Sequence, residues 1–291
     1  MMIIVIGATG TIGSELLKRL IKLRIPTRAL SRDYSKLYNQ ILDCKSPFVE
    51  LITADATNSN SLRRAFKGGK QLFLALSNSP KQIDLESSVI NVAVEAGIEH
   101  IVKISSPIFQ RTSPVTVAKW HREIERKLRE SSIEYTILRP YAFMQNLLRF
   151  APTIVKQDVF YGSMGDSSCN FIDCRDVADV AVEVLINREK SGGIYTLTGS
   201  EIFSYPDIAS ELSIILNRTI NYINMDPAEL RRNLIHYEQM PNWLANHIVE
   251  IQAMSMKVQE NPTDTVKELI GKEPRTLRNF LHEHKDFFEY F

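Results

Sequence analysis

The 291 residues carry a formal net charge of +1, with 44% apolar and 24% charged side chains and no biased tract. That balance describes a globular chain long enough for one large or two modest domains, and it offers nucleic acid or a membrane surface no broad electrostatic hold. Three cysteines, Cys44, Cys169 and Cys174, stand at no zinc-type spacing, the apolar N-terminus is too short for a signal segment, and no run approaches the roughly 20 apolar residues of a spanning helix; a cytoplasmic protein without a metal site is expected.

Met2 to Ile6 reads as the first strand. Leu16, Leu17, Leu20 and Ile21 then recur at helical spacing between Thr11 and Leu23, and Ile25-Pro26 ends that helix before a second strand, Thr27 to Leu30. Strands follow at Phe48 to Thr53, Gln71 to Leu76, Ile98 to Ile104 and Tyr135 to Leu138, with helices near Ser61 to Phe66, Asp84 to Ala96 and Thr116 to Arg129. The strand runs are apolar almost throughout, the pattern of a parallel sheet covered by helices on both faces.

After Pro140 the rhythm changes. A Gly-containing polar segment from Tyr161 to Asn170 leads to a helix at Arg175 to Ile186, a strand at Ile194 to Leu197 and a helix from Ser204 to Leu216, where Ser204 and Asp207 form a capping box. From Asp226 the pattern is helical to the end, with Leu230, Leu234, Trp243, Ile248 and Ile251 turned inward. The predicted fold class is α/β: a Rossmann-type doubly wound parallel sheet over residues 1–150 and a smaller, mainly helical lobe over 151–291, some of whose strands and helices return to the sheet. Without a low-complexity linker, the lobes are expected to pack along a cleft.

Gly7, Gly10 and Gly13 form G-x-x-G-x-x-G between a strand and a helix. In that context one glycine permits the tight turn, a second admits a pyrophosphate close to backbone and a third lets helix and strand pack, while the helix N-terminus favours the phosphate charge. Arg32, just past the second strand, stands where an acidic residue would bind a ribose 2′-hydroxyl and a cation would meet a 2′-phosphate. NADP(H) is therefore favoured, with help from Arg28 if its side chain emerges on the same side; Asp33 follows at once and keeps NAD(H) open.

At this point the sequence resembles the short-chain dehydrogenase/reductase superfamily, and Gly7-Ala8-Thr9-Gly10-Thr11-Ile12-Gly13 is similar to the opening of its atypical NmrA-like branch. The resemblance runs on through Arg28 to Asp33, Ala54-Asp55-Ala56, Ile104-Ser105-Ser106, Leu138-Arg139-Pro140, Phe171-Ile172-Asp173 with Arg175 to Ala178, and Tyr195 to Gly199. It implies a cofactor shell of Gly7, Thr9, Gly10, Thr11, Ile12, Gly13, Ser31, Arg32, Asp55, Ala56, Ala75, Leu76, Ser77, Ser105 and Pro140. It further implies a substrate face of Trp120, Tyr141, Phe143 and Asn146, whose aromatic groups suit a flat acceptor.

Superfamily reductases carry a Tyr-x-x-x-Lys pair on the helix after strand five; here Val117 and His121 stand in that register, so the usual proton donor is missing. The branch resembles both redox-sensing regulators without turnover and reductases of quinones, azo and triphenylmethane dyes. The leading expectation is an NAD(P)H-dependent reductase of a small quinone-like or aromatic acceptor, with the proton coming from water or from His121. His121 and Glu125, four apart on a helix, have a simple surface pair as their bland reading. The rival is a non-catalytic redox sensor acting on a protein partner; neither reading needs nucleic acid or membrane, and both are compatible with an oligomer. Sugar epimerisation or dehydration ranks lower because it relies on the missing tyrosine.

Overall fold

The computed structural model describes residues 1–41, 46–107 and 115–289; Cys44 lies outside them. In chain order the first half runs β1 (Ile3–Ile6), α1 (Thr11–Lys22), β2 (Thr27–Ser31), α2 (Tyr34–Ile41), β3 (Val49–Thr53), α3 (Ser59–Phe66), β4 (Gln71–Leu74), α4 (Gln82–Glu95), β5 (His100–Ile104), α5 (Thr116–Glu130) and β6 (Glu134–Pro140). The second half adds β7 (Ala142–Phe143), α6 (Ala151–Gln157), β8 (Val159–Gly162), β9 (Ser168–Ile172), α7 (Cys174–Ile186), β10 (Ile194–Leu197), β11 (Ile202–Ser204) and α8 (Tyr205–Leu216). It closes with β12 (Asn221–Asn224), α9 (Pro227–His236), α10 (Asn242–Ser255), α11 (Thr265–Ile270) and α12 (Leu277–Glu283).

Seven strands form one parallel sheet in the order β10-β6-β5-β4-β1-β2-β3. Every residue of β1, β4 and β5 is buried, which is why those runs read as apolar sequence broken only by Gln71, His100 and Lys103. On one face Leu16, Leu17 and Leu20 of α1 meet Val177, Ala181 and Val184 of α7. On the other, Leu62 and Phe66 of α3, Val89 and Ala93 of α4 and Ile124 and Leu128 of α5 form the second apolar layer. The Rossmann-type doubly wound α/β fold is thus present, and two of its elements, α7 and β10, come from beyond residue 150.

Some strand ends differ from expectation for local reasons. Gly97 turns at φ +71 and the Ile98 N–H bonds the Ala93 carbonyl, so Ile98 closes α4 instead of opening β5. The segment from Tyr161 to Asn170 is less open than its composition suggests: β8 pairs with β12, and β9 joins β7 and β11 in a small sheet. Strand β12, Asn-Tyr-Ile-Asn, was not predicted, because no residue of it is buried and alternation gives no signal. The Ser204 capping box is present, with Ser204 as N-cap of α8. Leu230 and Leu234 are buried, whereas Trp243, Ile248 and Ile251 are half-buried. Cys169 and Cys174 are buried free thiols. Among the described residues no helix is long and apolar enough to cross a membrane.

Candidate functional site

Parallel pairing places the carboxyl ends of all seven strands along one edge, and the strand order reverses between β1 and β4. That switch point is where open α/β sheets accept ligands. The candidate residues divide there into three groups: the glycine turn after β1, a flank after β2 and β3, and an opposite flank after β4, β5 and β6.

In the glycine turn, Gly7 sits at φ +80 and an added Cβ would lie 2.0 Å from the Ala75 carbonyl oxygen; a Cβ on buried Gly13 would lie 2.1 Å from the Gly7 oxygen. Both are therefore held by backbone-to-backbone packing. Gly10 differs: it is exposed, and its Cβ would meet only the Gly7 oxygen, at 3.2 Å. Gly10 is the N-cap of α1 and supplies no side-chain cap, and the first turn carries no acidic residue. The leading N–H groups of α1 are thus left to bind an anion, and the missing Cβ at Gly10 leaves space for one, so the turn fits a pyrophosphate. Thr9 is half-buried and Thr11 exposed, while the Ile12 side chain enters the core and leaves only its backbone facing the turn.

On the first flank Arg32 is exposed immediately after β2. Asp33 caps α2, its Oδ1 accepting the Lys36 N–H at 3.0 Å while its own N–H donates to Ser31 Oγ at 3.1 Å. Its carboxylate is therefore already engaged. Arg28 does not join Arg32: its guanidinium binds Glu50 at 2.8 Å and the Ala65 and Lys67 carbonyls at 2.7 and 2.8 Å. Asp55 accepts the Thr57 N–H at 2.9 Å, and that bond, with help from the positive charge of Arg32, holds its carboxyl below the ordinary value. Ala56 packs on the apolar layer beneath.

The opposite flank is built from charge. Ala75 backs onto Gly7, Leu76 packs on the core, Ser77 is exposed and Asn78 is half-buried. His121 is not at the helix surface beside Glu125 but 5% exposed, with Nδ1 3.3 Å from Lys103 Nζ and Nε2 3.2 Å from Asn78 Oδ1. Burial first, then the positive charge of Lys103, press its pKa well below the usual histidine value. The ring is neutral at pH 7. Lys103 and Glu86, both wholly buried, pair at 2.7 Å, and Gln82 donates to Glu86 at 2.9 Å.

Glu125 belongs to a second network, accepting from Ser105 Oγ at 2.7 Å, Arg139 at 2.9 and 2.5 Å and Arg129 at 2.7 Å. Burial pushes its pKa up, but the bonds from Arg139 and Ser105 prevail and hold it low. The Ser105 hydroxyl is thus engaged within the protein, whereas the buried Ser106 Oγ has no hydrogen-bond partner among the described residues.

Of the expected substrate face, Trp120 packs against Trp243 of α10 with ring centroids 5.9 Å apart. Glu250 of the same helix accepts both the Thr116 N–H at 2.8 Å and its hydroxyl at 3.0 Å, fastening α10 over the start of α5. Tyr141 is half-buried after β6, its hydroxyl pushed up to about 12 by burial and by Glu260. Phe143 packs on the main core, Pro140 is buried within β6, and Asn146 is exposed. Its neighbour Gln145 turns inward, donating to Asp173 at 2.9 Å and accepting the Cys174 N–H at 3.0 Å.

Sequence reading missed Asn78, Lys103, Glu86 and Gln145. A lysine inside the apolar run Ile101-Val102-Lys103-Ile104 was the available signal, because an unpaired charge is not left in a covered strand.

Comparison with known proteins places the chain in a family. The model of the NmrA-like family matches residues 1–291. An NAD(P)H azoreductase of Xenophilus azovorans is 30% identical over 97% of this chain and 98% of its own. The solved NADPH-dependent quinone oxidoreductase QOR2 of Escherichia coli, in complex with NADPH, is 26% identical with a TM-score of 0.88, covering 98% of this chain and all of the other. Triphenylmethane reductase of a Citrobacter species, solved with NADP(H), shares the fold at 21% identity and a TM-score of 0.85, covering 97% and 99% of the two chains. On the strength of its glycine turn, its sheet order and a family match from end to end, the chain belongs to the NmrA-like family.

Proposed function

We propose that the protein is an NAD(P)H-dependent reductase, with NADP(H) preferred, that delivers hydride to a small quinone-like or aromatic acceptor. The observation that carries this reading is the glycine turn, closed by backbone at Gly7 and Gly13 and open only at Gly10. Bound there, the cofactor supplies the hydride. Gly10 and the leading N–H groups of α1 would hold the pyrophosphate, Asp55 and Arg32 the adenosine end, with Arg32 meeting the 2′-phosphate. The engagement of Asp33 in capping α2 favours NADP(H) over NAD(H), since that carboxylate is less free to accept ribose hydroxyls.

Trp120 and Tyr141 offer aromatic surface to a flat acceptor. Arg139, Glu125 and Ser105 fix the ends of β5 and β6 beneath it, so the reacting edge is rigid where hydride transfer needs alignment. His121 does not suit proton donation: its neutral ring has one N–H, already directed at Asn78. The proton is therefore assigned to solvent. Oxidation of NADPH and NADH by a panel of quinones, azo dyes and triphenylmethane dyes tests the reading; tight cofactor binding with no turnover across the panel would defeat it.

The second reading, a redox sensor acting through a protein partner, is supported by the burial of Val117 and His121 on α5, the two positions read from the sequence as standing in the register of the Tyr-x-x-x-Lys pair. It requires different affinities for the oxidised and reduced cofactor, because a ligand that binds two states equally shifts neither. Equal dissociation constants for NADP⁺ and NADPH would exclude it.

A further inference from the structure

We propose that Asn78 contacts the nicotinamide half of the cofactor, donating an Nδ2–H to one of its oxygens, and that Lys103 and His121 are positioning residues that fix the orientation of this amide. The proposal rests on the reading of the edge as a dinucleotide site. It starts from the Lys103 ammonium, which forms an ion pair with Glu86 Oε2 at 2.7 Å, donates to the Ile104 carbonyl and lies 3.3 Å from His121 Nδ1. With Lys103 donating, Nδ1 is an acceptor, and the neutral ring carries its hydrogen on Nε2. Nε2–H then donates to Asn78 Oδ1 at 3.2 Å. This fixes which end of the amide faces His121, leaving both Nδ2 hydrogens directed elsewhere.

No hydrogen-bond partner for Nδ2 occurs among the described residues. Asn78 stands after β4, across the β1/β4 switch point from Arg32 and Asp55. A dinucleotide with its adenosine end at Arg32 and its pyrophosphate at Gly10 extends its nicotinamide half over the ends of β4 and β5. Ribose hydroxyl and carboxamide oxygens on that half accept hydrogen bonds. The unpartnered Ser106 Oγ, after β5, lies on the same side of the switch point.

Stability alone gives little reason to bury Glu86 and Lys103, because an apolar pair of similar volume is often as stabilising. Orienting a neutral histidine, and through it a donor at the ligand edge, gives the pair a function.

The test titrates wild type, Asn78→Asp, His121→Ala and the double variant with NADPH and with adenosine 2′,5′-bisphosphate, which lacks the nicotinamide half. Asn78→Asp keeps an oxygen for His121 but removes the N–H donors. NADPH affinity is expected to fall about 10-fold while the bisphosphate changes by less than about 2-fold. His121→Ala is expected to weaken NADPH as well, with the double variant no weaker than Asn78→Asp, since the histidine acts through the amide. Nitrogen NMR of the ring in cofactor-free protein is expected to show the Nε2–H tautomer. Unchanged NADPH affinity in Asn78→Asp, parallel loss of both ligands, additive effects or an Nδ1–H tautomer would overturn the proposal. Failure of wild type to bind NADPH or NADH would overturn the dinucleotide reading and the contact with it, whereas binding by wild type with an indifferent Asn78→Asp removes the contact alone.

Discussion

The two flanks of the ligand edge are built on opposite principles. Around Gly7, Gly10 and Arg32 the site is backbone and exposed side chain: a turn without Cβ atoms, a bare helix N-terminus, a cation in solvent. Around Asn78 and Tyr141 it rests on buried charge, with Glu86 paired to Lys103 and Glu125 to Arg139 under the ends of β4, β5 and β6. The first flank binds by leaving polar groups unsatisfied and accessible. The second holds its geometry through ion pairs whose carboxylates are wholly buried, so it is sensitive to the loss of one partner.

The contrast is broken most severely by single substitutions, one class on each flank. Lys103→Met leaves Glu86 buried and unpaired, and is expected to cost about 3 to 5 kcal/mol; adding Glu86→Gln should recover much of that, and a double variant no better than the single in denaturant melts would show that the pair is not the cause. On the other flank Gly7→Ala meets both a 2.0 Å contact and a positive φ, with an expected loss of about 4 kcal/mol or more. Gly10→Ala, with only a 3.2 Å contact to accommodate, should melt near wild type yet bind NADPH about 100-fold more weakly, because its methyl occupies the phosphate position. If Gly10→Ala binds normally, the turn is not the phosphate cradle.

This difference also explains what the sequence disclosed. The glycine turn, Arg32 and the strand pattern are local in sequence, so their spacing carries their meaning. Asn78, Glu86, Lys103 and His121 lie on β4's exit, α4, β5 and α5, and only the sheet order brings them together. That is why the i, i+4 spacing of His121 and Glu125 suggested one surface pair where the fold makes two buried networks. Strand β12 escaped notice for another reason: an exposed strand next to β8 needs no apolar alternation.

Smaller effects sharpen the comparison. Arg32→Glu should lower kcat/KM for NADPH about 10- to 100-fold, the worth of one charge-assisted bond, with little change for NADH; parallel loss with both cofactors would deny Arg32 its phosphate. The mildest is a pH response. Burial, with the Lys103 charge, depresses the His121 pKa, and burial depresses those of His100 and His247. A histidine whose folded pKa lies below its unfolded value of 6.5 leaves stability intact above that value and withdraws it as pH falls, by up to about 1.4 kcal/mol per unit for each group. Thermal melts from pH 7.5 down to 5.5 should fall accordingly, and less steeply in a His100→Gln variant; an unchanged midpoint would show that these rings protonate as easily folded as unfolded.

The central claim is hydride delivery from a nicotinamide held at this edge. Single-turnover mixing of the protein with NADPH deuterated at the nicotinamide C4 and a simple benzoquinone tests it most directly. Stoichiometric NADPH oxidation is expected, slowed by deuterium and shifted to about 100-fold higher NADPH concentration in Gly10→Ala; bound NADPH that persists with the quinone and with every dye of the panel would contradict it.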